Sequence, residues 1–216
     1  TAQRILWKSD TTGEWVRNAE RLLLPDNGQA DLSNKNLCEL KNDGARQASV
    51  LLDFGKELHG GIHLTTGMMK VHGPVRVHIR LGESASEAMS DLSDTAHDAT
   101  NDHAMRDFVV SLPWLGSLEV GNSGFRFVRI DVIDPGAELL LKNLTAIFTY
   151  RDIPYLGSFR CSDTLLNKIW MTGAYTVQLN MQDYLWDGIK RDRLVWMGDM
   201  GPEVATISNE FGFNDV

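Results

Sequence analysis

Three acids, Asp187, Asp192 and Asp199, stand in one short stretch that reads DGIKRDRLVWMGD. Lys190, Arg191 and Arg193 lie among them, and Trp186 and Trp196 flank them. These residue types suit the opening of a glycosidic bond. Carboxylates transfer protons and steady positive charge, guanidinium groups hold hydroxyls and tune nearby acids, and indole faces stack on sugar rings. Mixed charge on a solvated turn is the plainer alternative for the same composition. Several of the residues also have a structural alternative. Asp199 stands just before a helical pattern and suits its N-terminus. Glu203, a reserve acid in the first turn of that pattern, complements the helix dipole. Trp196 suits a core as well as a sugar platform, and Arg191 and Arg193 suit plain neutralisation of the acids.

The elements that must carry this stretch change character near residue 151. Ser162-Asp163 offers a helix N-cap, and Leu165, Leu166, Ile169, Trp170, Gly173, Ala174 and Val177 recur at helical spacing. That predicts a helix from Asp163 to about Gln182. A second helix is expected to begin near Pro202, as a first-turn proline, and to run through Val204, Ile207 and Phe211 to Gly212. The acidic stretch then occupies the loop and helix start between the two. Upstream, residues 1–152 read as β. Ala48–Phe54 is a short apolar run closed by Gly55, while Gly61–Thr66, Val75–Leu81 and Phe125–Ile133 alternate, and Leu139–Tyr150 is β-rich. Val75, Val77, Ile79 and Leu81 should share one face, with Arg76, His78 and Arg80 on the other. Turn residues separate these runs, which predicts an antiparallel β-sandwich. Trp7 and Trp15 are expected to anchor edge strands in the less patterned region before residue 45.

Residues 84–107 are small, polar and acidic, and read as a long exposed loop. Asp94, Asp98, Asp102, His97 and His103 within it match no standard metal spacing, and His59 and His63 straddle Gly60-Gly61 in strand context. No metal and no cofactor is expected. The chain has 216 residues and a formal net charge of -8, without a basic run. That argues against a nucleic acid partner and is compatible with a neutral carbohydrate. No apolar run approaches the roughly 20 residues of a membrane span. Cys38 and Cys161 form neither a disulfide framework nor a metal spacing, and unpaired thiols are the simpler expectation. The first residue is Thr1 rather than Met. This suggests a trimmed or excised piece, so the lack of a visible signal peptide carries no weight.

The acidic stretch resembles the active-site motif of the α-L-rhamnosidases of glycoside hydrolase family 78, one form of which reads D-C-P-x-R-E-R-x-G-W-x-G-D. Laid on it without a gap, Asp187 takes the first Asp, Arg191 the Arg and Asp192 the general-acid Glu. Arg193 takes the next Arg, and Trp196, Gly198 and Asp199 take the W-x-G-D end. Gly188 and Ile189 replace Cys-Pro, and Val195 replaces Gly. Asp192 is one methylene shorter than Glu, so its carboxyl reaches about 1.5 Å less far. Some members read R-D-E; in that register Asp192 matches the Asp and the acid's place is unfilled. Phe159–Trp170 is similar to the family's opening of an (α/α)6 toroid, F-x-C-S-[DN]-x-x-L-N-x-I-[WY]. LDFGKELHGG at Leu52–Gly61 resembles the D-F-G-x-x-x-x-G strand-turn of its β-sandwich. Leu81-Gly82-Glu83 resembles a short G-E element, and GFRFV at Gly124–Val128 resembles G-F-R-Y-V, in the same order.

The resemblance implies a mainly β chain: a jelly-roll-like β-sandwich over residues 1–152, then the first helices of an (α/α)6 toroid over 153–216. A toroid takes about twelve helices of roughly 11 residues. Only two or three are expected here, leaving an apolar face open to self-association. The family inverts at the anomeric carbon. Asp192 is then the acid that protonates the leaving oxygen, which calls for burial or a neighbouring carboxylate to hold its proton near neutral pH against Arg191 and Arg193. Asp187 and Asp199 would hold sugar hydroxyls and developing positive charge, with Arg191, Arg193, Trp196 and Glu203 completing the substrate-binding set. The general base would be a Glu beyond Val216, so this chain alone is expected to be inactive. The implied reaction is hydrolysis of terminal α-L-rhamnosyl or related residues, in a periplasmic or extracellular setting. Two other readings stay open. One is a non-catalytic carbohydrate-binding β-sandwich with a vestigial acidic motif. The other is a different (α/α)6 enzyme, such as another exo-glycosidase or a polysaccharide lyase; the lack of any His after His103 counts against a lyase.

Overall fold

The structure is a computed structural model that describes residues 1–70, 73–91 and 106–212. It divides into two compact units, Thr1–Phe148 and Thr149–Val216. The first contains eight strands: β1 (Arg4–Lys8), β2 (Val16–Arg17), β3 (Cys38–Lys41), β4 (Ser49–Thr66), β5 (Val75–Gly82), β6 (Asp107–Leu112), β7 (Gly116–Val132) and β8 (Glu138–Phe148). Every pairing is antiparallel, in the order β2-β3-β8-β4-β7-β5-β6, with β1 added to β4. This is the antiparallel β-sandwich expected from the alternating runs.

The longest strands make the frame. β4 pairs with β7 from Ser49 to Thr66, while β1 flanks only its first half and β8 only its second. The sequence suggested two strands broken at Gly55. One strand runs through instead, because bulges between Asp53 and Leu58 and between Gly60 and Ile62 absorb the irregularity. Gly55 (φ 85°) and Gly60 (φ 137°) supply backbone angles that a side chain would strain. Gly61 is needed for a different reason: a Cβ there would stand 2.5 Å from the Gly121 carbonyl oxygen. The D-F-G-x-x-x-x-G resemblance is thus a bulged strand whose two halves have different neighbours. Its core contains Val50, Leu52, Ile62, Leu64, Val77, Ile79, Phe125, Val128 and Ile130, all fully buried.

Two further expectations change in this unit. Alternation puts Arg80 on a polar face, yet it is buried, donating to Asp131 (2.9 Å) and Asp91 (2.6 Å). Paired charge is what permits its burial. Residues 84–107 are not wholly loop: Ala85–Met89 form a short helix, α1, which Ser84 caps by accepting from the Glu87 N–H, and Ala88 is buried. His97, His103, Asp94, Asp98 and Asp102 lie outside the described residues. Cys38 and Cys161 are free thiols, and burial pushes Cys38 up to about 12. Among the described residues, no helix is long and apolar enough to cross a membrane.

The second unit contains α2 (Thr164–Asn180), α3 (Met197–Thr206) and a π-helical turn, Ile207–Phe211. Val177, Met181, Ile207 and Phe211 form its small core, with Ile153 and Leu185 packed against it. Gly212 (φ 67°) ends the run and returns its N–H to the Ile207 carbonyl. α3 starts at Met197, a full turn earlier than Pro202 suggested. Pro202 therefore lies inside the helix, where it has no N–H to give the Gly198 carbonyl.

Candidate active site

The site is built on the ends of α2 and α3. Asp163 caps α2, accepting from the N–H groups of Leu165 (2.8 Å) and Leu166 (3.4 Å). Asn167 holds the incoming chain reciprocally: it accepts from Cys161 N–H (2.8 Å) and donates to the Cys161 carbonyl (2.9 Å). Phe159 stacks on Trp170 with centroids 5.4 Å apart. Trp170 Nε1 donates to Glu210 Oε2 (2.8 Å), and the Glu210 carbonyl accepts from Leu156 and Gly157. The Phe, Cys, Asp, Asn and Trp of the F-R-C-S-D segment each have a job in fixing α2 against the turn after α3. Gly157 permits that approach, since a Cβ would stand 2.1 Å from the Asn209 carbonyl oxygen.

Between the helices, the acidic stretch closes into a loop. Asp187 N–H donates to the Leu194 carbonyl (2.9 Å), and Leu194 N–H donates to Asp187 Oδ1 (3.0 Å). Trp186 N–H is tied to the Asn180 carbonyl (3.0 Å). Inside the loop, Ile189 and Lys190 are buried. Arg193 Nε donates to the Ile189 carbonyl (3.2 Å), and its guanidinium lies 5.4 Å from the Trp186 ring centroid. Burial lowers the Arg193 pKa from its usual value. Asp192 (φ 61°) and Arg193 (φ 55°) are consecutive non-glycine residues in the left-handed region. Such strain persists only where the surrounding contacts enforce it, as the reciprocal Asp187–Leu194 bonds do here.

A cleft of about 670 Å³ opens beside α2 and α3, and its polar lining includes Lys168, Thr172, Asn180, Asp187, Asp199 and Glu203. Three of the expected site acids, Asp187, Asp199 and Glu203, thus line one cavity. Asp199 sits in the first turn of α3, where it complements the dipole, while the N-cap position is taken by Trp196. Glu203 is 6% exposed, and Asn180 Nδ2 donates to its Oε1 (3.2 Å). Burial, then Asp199 and Asp187, raise its pKa; the Asn180 bond offsets part of that. The first-turn reading of Glu203 as a dipole partner does not apply, because α3 begins six residues earlier.

Asp192, Arg191, Arg193 and Trp196 are not among the residues lining this cleft. The Asp192 side chain is 39% exposed, with Arg191 Nε 3.5 Å from its Oδ2. The burial expected for a proton donor is absent among its described neighbours. Trp196 is 59% exposed at the N-cap of α3, so it is not a core residue. Asn180 and Lys168 were missed. Nothing in a single helical repeat marks them, although Asn180 ends α2 directly before the acidic loop.

Residues 154–215 match the family described as the bacterial α-L-rhamnosidase six-hairpin glycosidase domain. Over that segment the chain is similar to bacterial α-L-rhamnosidases. An α-L-rhamnosidase of Formosa agariphila is 32% identical over 78 residues, which cover 35% of this chain and 8% of that protein. Among solved structures, a rhamnosidase from Klebsiella oxytoca with rhamnose bound superposes with a TM-score of 0.69 at 22% identity, over 81% of this chain and 34% of that one. The family 78 rhamnosidase of Bacillus sp. GL1 gives 0.69 at 21% identity, over 91% of this chain and 19% of that one. The chain therefore spans about a third or less of the length of these relatives, and the similarity relates it to glycoside hydrolases. The structural likenesses support the β-sandwich followed by the start of a helical domain.

Proposed function

We propose that the chain is the N-terminal part of a glycoside hydrolase that removes terminal α-L-rhamnosyl or related residues by an inverting acid/base mechanism. The observation that carries the reading is the convergence of Asp187, Asp199 and Glu203 on one cleft inside the segment that matches the six-hairpin domain. Carboxylates beside an amide and an ammonium group suit a polyhydroxylated ring. Asp187 and Asp199 accept from sugar hydroxyls and stabilise the oxocarbenium-like transition state. Asp192 protonates the leaving oxygen, acquiring its burial when the sugar covers the loop. Arg191, Arg193 and Trp196 hold the sugar or its leaving group from the exposed side of the loop. A periplasmic or extracellular setting goes with a glycan substrate.

An inverting reaction needs a second carboxylate across the ring, about 6.5–9.5 Å from the acid. The family resemblance puts that base downstream of the acidic loop. The 216-residue chain is therefore expected to show no turnover of 4-nitrophenyl α-L-rhamnoside, whereas a form extended to the length of its relatives should cleave it. Turnover by the short chain would remove the downstream base from the scheme. Glycan binding without cleavage by the extended form would favour the carbohydrate-binding module instead. The short chain is also expected to self-associate through Leu165, Leu166, Ile169, Met171, Met197 and Val204, all exposed. Sedimentation velocity over a range of concentrations checks this, and a monomer throughout would contradict it.

A further inference from the structure

We propose that Glu203 works un-ionised, as a positioning residue that presents an O–H to the cleft where Asp187 and Asp199 act as acceptors. The inference rests on the carbohydrate reading of that cleft and adds to it a protonation state and a direction of hydrogen bonding.

The geometry comes first. Glu203 is nine-tenths buried, and its only described hydrogen bond is the one that Asn180 donates to Oε1. The side chain lines the cleft, so its second oxygen faces that space. A buried carboxylate with one neutral donor and no cation on its oxygens is poorly compensated; a carboxylic acid in the same place is not. The charged groups lining the cleft point the same way. Asp199 comes from α3 itself and Asp187 from the loop, against Lys168 alone from α2. Two acids and one ammonium leave the third acid as the natural site for a proton. The direction of the Glu203 shift, upward from burial and from both aspartates, agrees with this placement.

The consequence is chemical. If all three acids were ionised, they would only accept hydrogen bonds, whereas a sugar hydroxyl both donates and accepts. Protonated Glu203 adds a neutral donor directly beside two acceptors. It can orient one aspartate, or a hydroxyl oxygen that the aspartate holds, and it keeps a third negative charge out of the cleft. No bond is made or broken by Glu203 in this role. Its deprotonation at high pH would turn the donor into an acceptor and crowd three charges together.

The first test uses the 216-residue chain. In a carboxyl ¹³C NMR titration, the Glu203 Cδ midpoint is expected well above the ordinary glutamate range, so that the proton is still held at the working pH. Asp187→Asn and Asp199→Asn should each draw it down. A Glu203 midpoint within the ordinary glutamate range would overturn the proposal. The second test uses the extended enzyme and kcat/KM against pH. Glu203→Gln keeps a neutral donor and should lose about threefold, while Glu203→Ala should lose about a hundredfold. The alkaline limb that Glu203 deprotonation sets in the wild type should be lost from the Gln variant. Superimposable wild-type and Gln profiles would overturn the proposal. An elevated Glu203 midpoint in an enzyme that cleaves no rhamnoside would sink the hydrolase reading while leaving the protonation inference standing.

Discussion

Replacing Asp53 with Ala is expected to destabilise the β-sandwich by about 3 kcal/mol, the lower end of the range for breaking a buried ion pair. Asp53 is buried in β4 at the first bulge. It accepts from Gly55 N–H (2.7 Å), Arg4 Nε (2.9 Å), Arg126 Nε (2.8 Å) and Arg126 Nη2 (3.0 Å). Ala would leave the Gly55 N–H unanswered at the point where the backbone takes its left-handed turn, and would orphan Arg126. The Arg4 side chain is largely exposed, so its share of the loss is small. Asp53→Asn keeps an acceptor for Gly55 and should cost less, about 1–2 kcal/mol.

The pH dependence follows from the same contacts. The Arg126 hydrogen bond is the largest influence, and with Gly55 and Arg4 it holds the Asp53 carboxyl well below the usual carboxylate range. A depressed folded-state pKa contributes stability above the unfolded value of about 3.9, and that stability is lost as pH falls through the folded value. The acid limb of a urea-denaturation series should therefore flatten below about pH 4 in Asp53→Asn relative to wild type. Equal midpoints for wild type and Asp53→Ala at pH 7 would show that the bulge is held by the glycines alone.

Asp53 also marks where sequence reading stops. The apolar alternation of Val75, Val77, Ile79 and Leu81 is local, and β5 follows it. The continuity of β4 is not local. It depends on β7 pairing along the whole strand and on a carboxylate reaching guanidinium groups contributed by distant segments. Gly55 read as a stop because a glycine after an apolar run usually ends a strand; here it is the bulge residue that lets the strand continue. Arg80 was misplaced for the same reason, since Asp131 lies on another strand. In the second unit, α2 and its Asp163 cap follow from spacing and one side chain. The start of α3 does not. Two glycines and a proline in MGDMGPEVAT weaken any helical signal, and the start fell to the proline by default.

The candidate site divides along the same line. Asp187, Asp192 and Asp199 stand out as candidates because a linear motif carries them. The place of Asn180 beside Asp187, Asp199 and Glu203 comes from α2 and α3 meeting, which no local pattern records. The motif also grouped Asp192 with the other two aspartates, whereas the described structure leaves it on the exposed turn of the loop. A decisive experiment must therefore test Asp192 separately from the cleft.

In the extended enzyme, Asp192→Asn is expected to lower kcat/KM on rhamnosides with alkyl or sugar leaving groups by about 10²–10⁴, the range for one general acid. The loss on 4-nitrophenyl rhamnoside should be far smaller, because that leaving group departs without a proton. The contrast between substrates is the informative quantity, and a folding defect would not produce it. Asn is suited to the test, since it is among the few residues that tolerate the left-handed conformation Asp192 adopts (φ 61°). The contact it removes, 3.5 Å from an exposed Arg191, contributes little to stability. Thermal melting of the variant should match wild type within about 1 °C. Asp192→Glu restores the methylene that the family motif carries and should retain the leaving-group profile that Asn loses. A rate unchanged by Asp192→Asn on both substrate classes would move the acid to Glu203, or to the register in which Asp192 is only the neighbour of an unfilled place. The protonated Glu203 of the cleft would then be the group to mutate next, with the same pair of substrates as the readout.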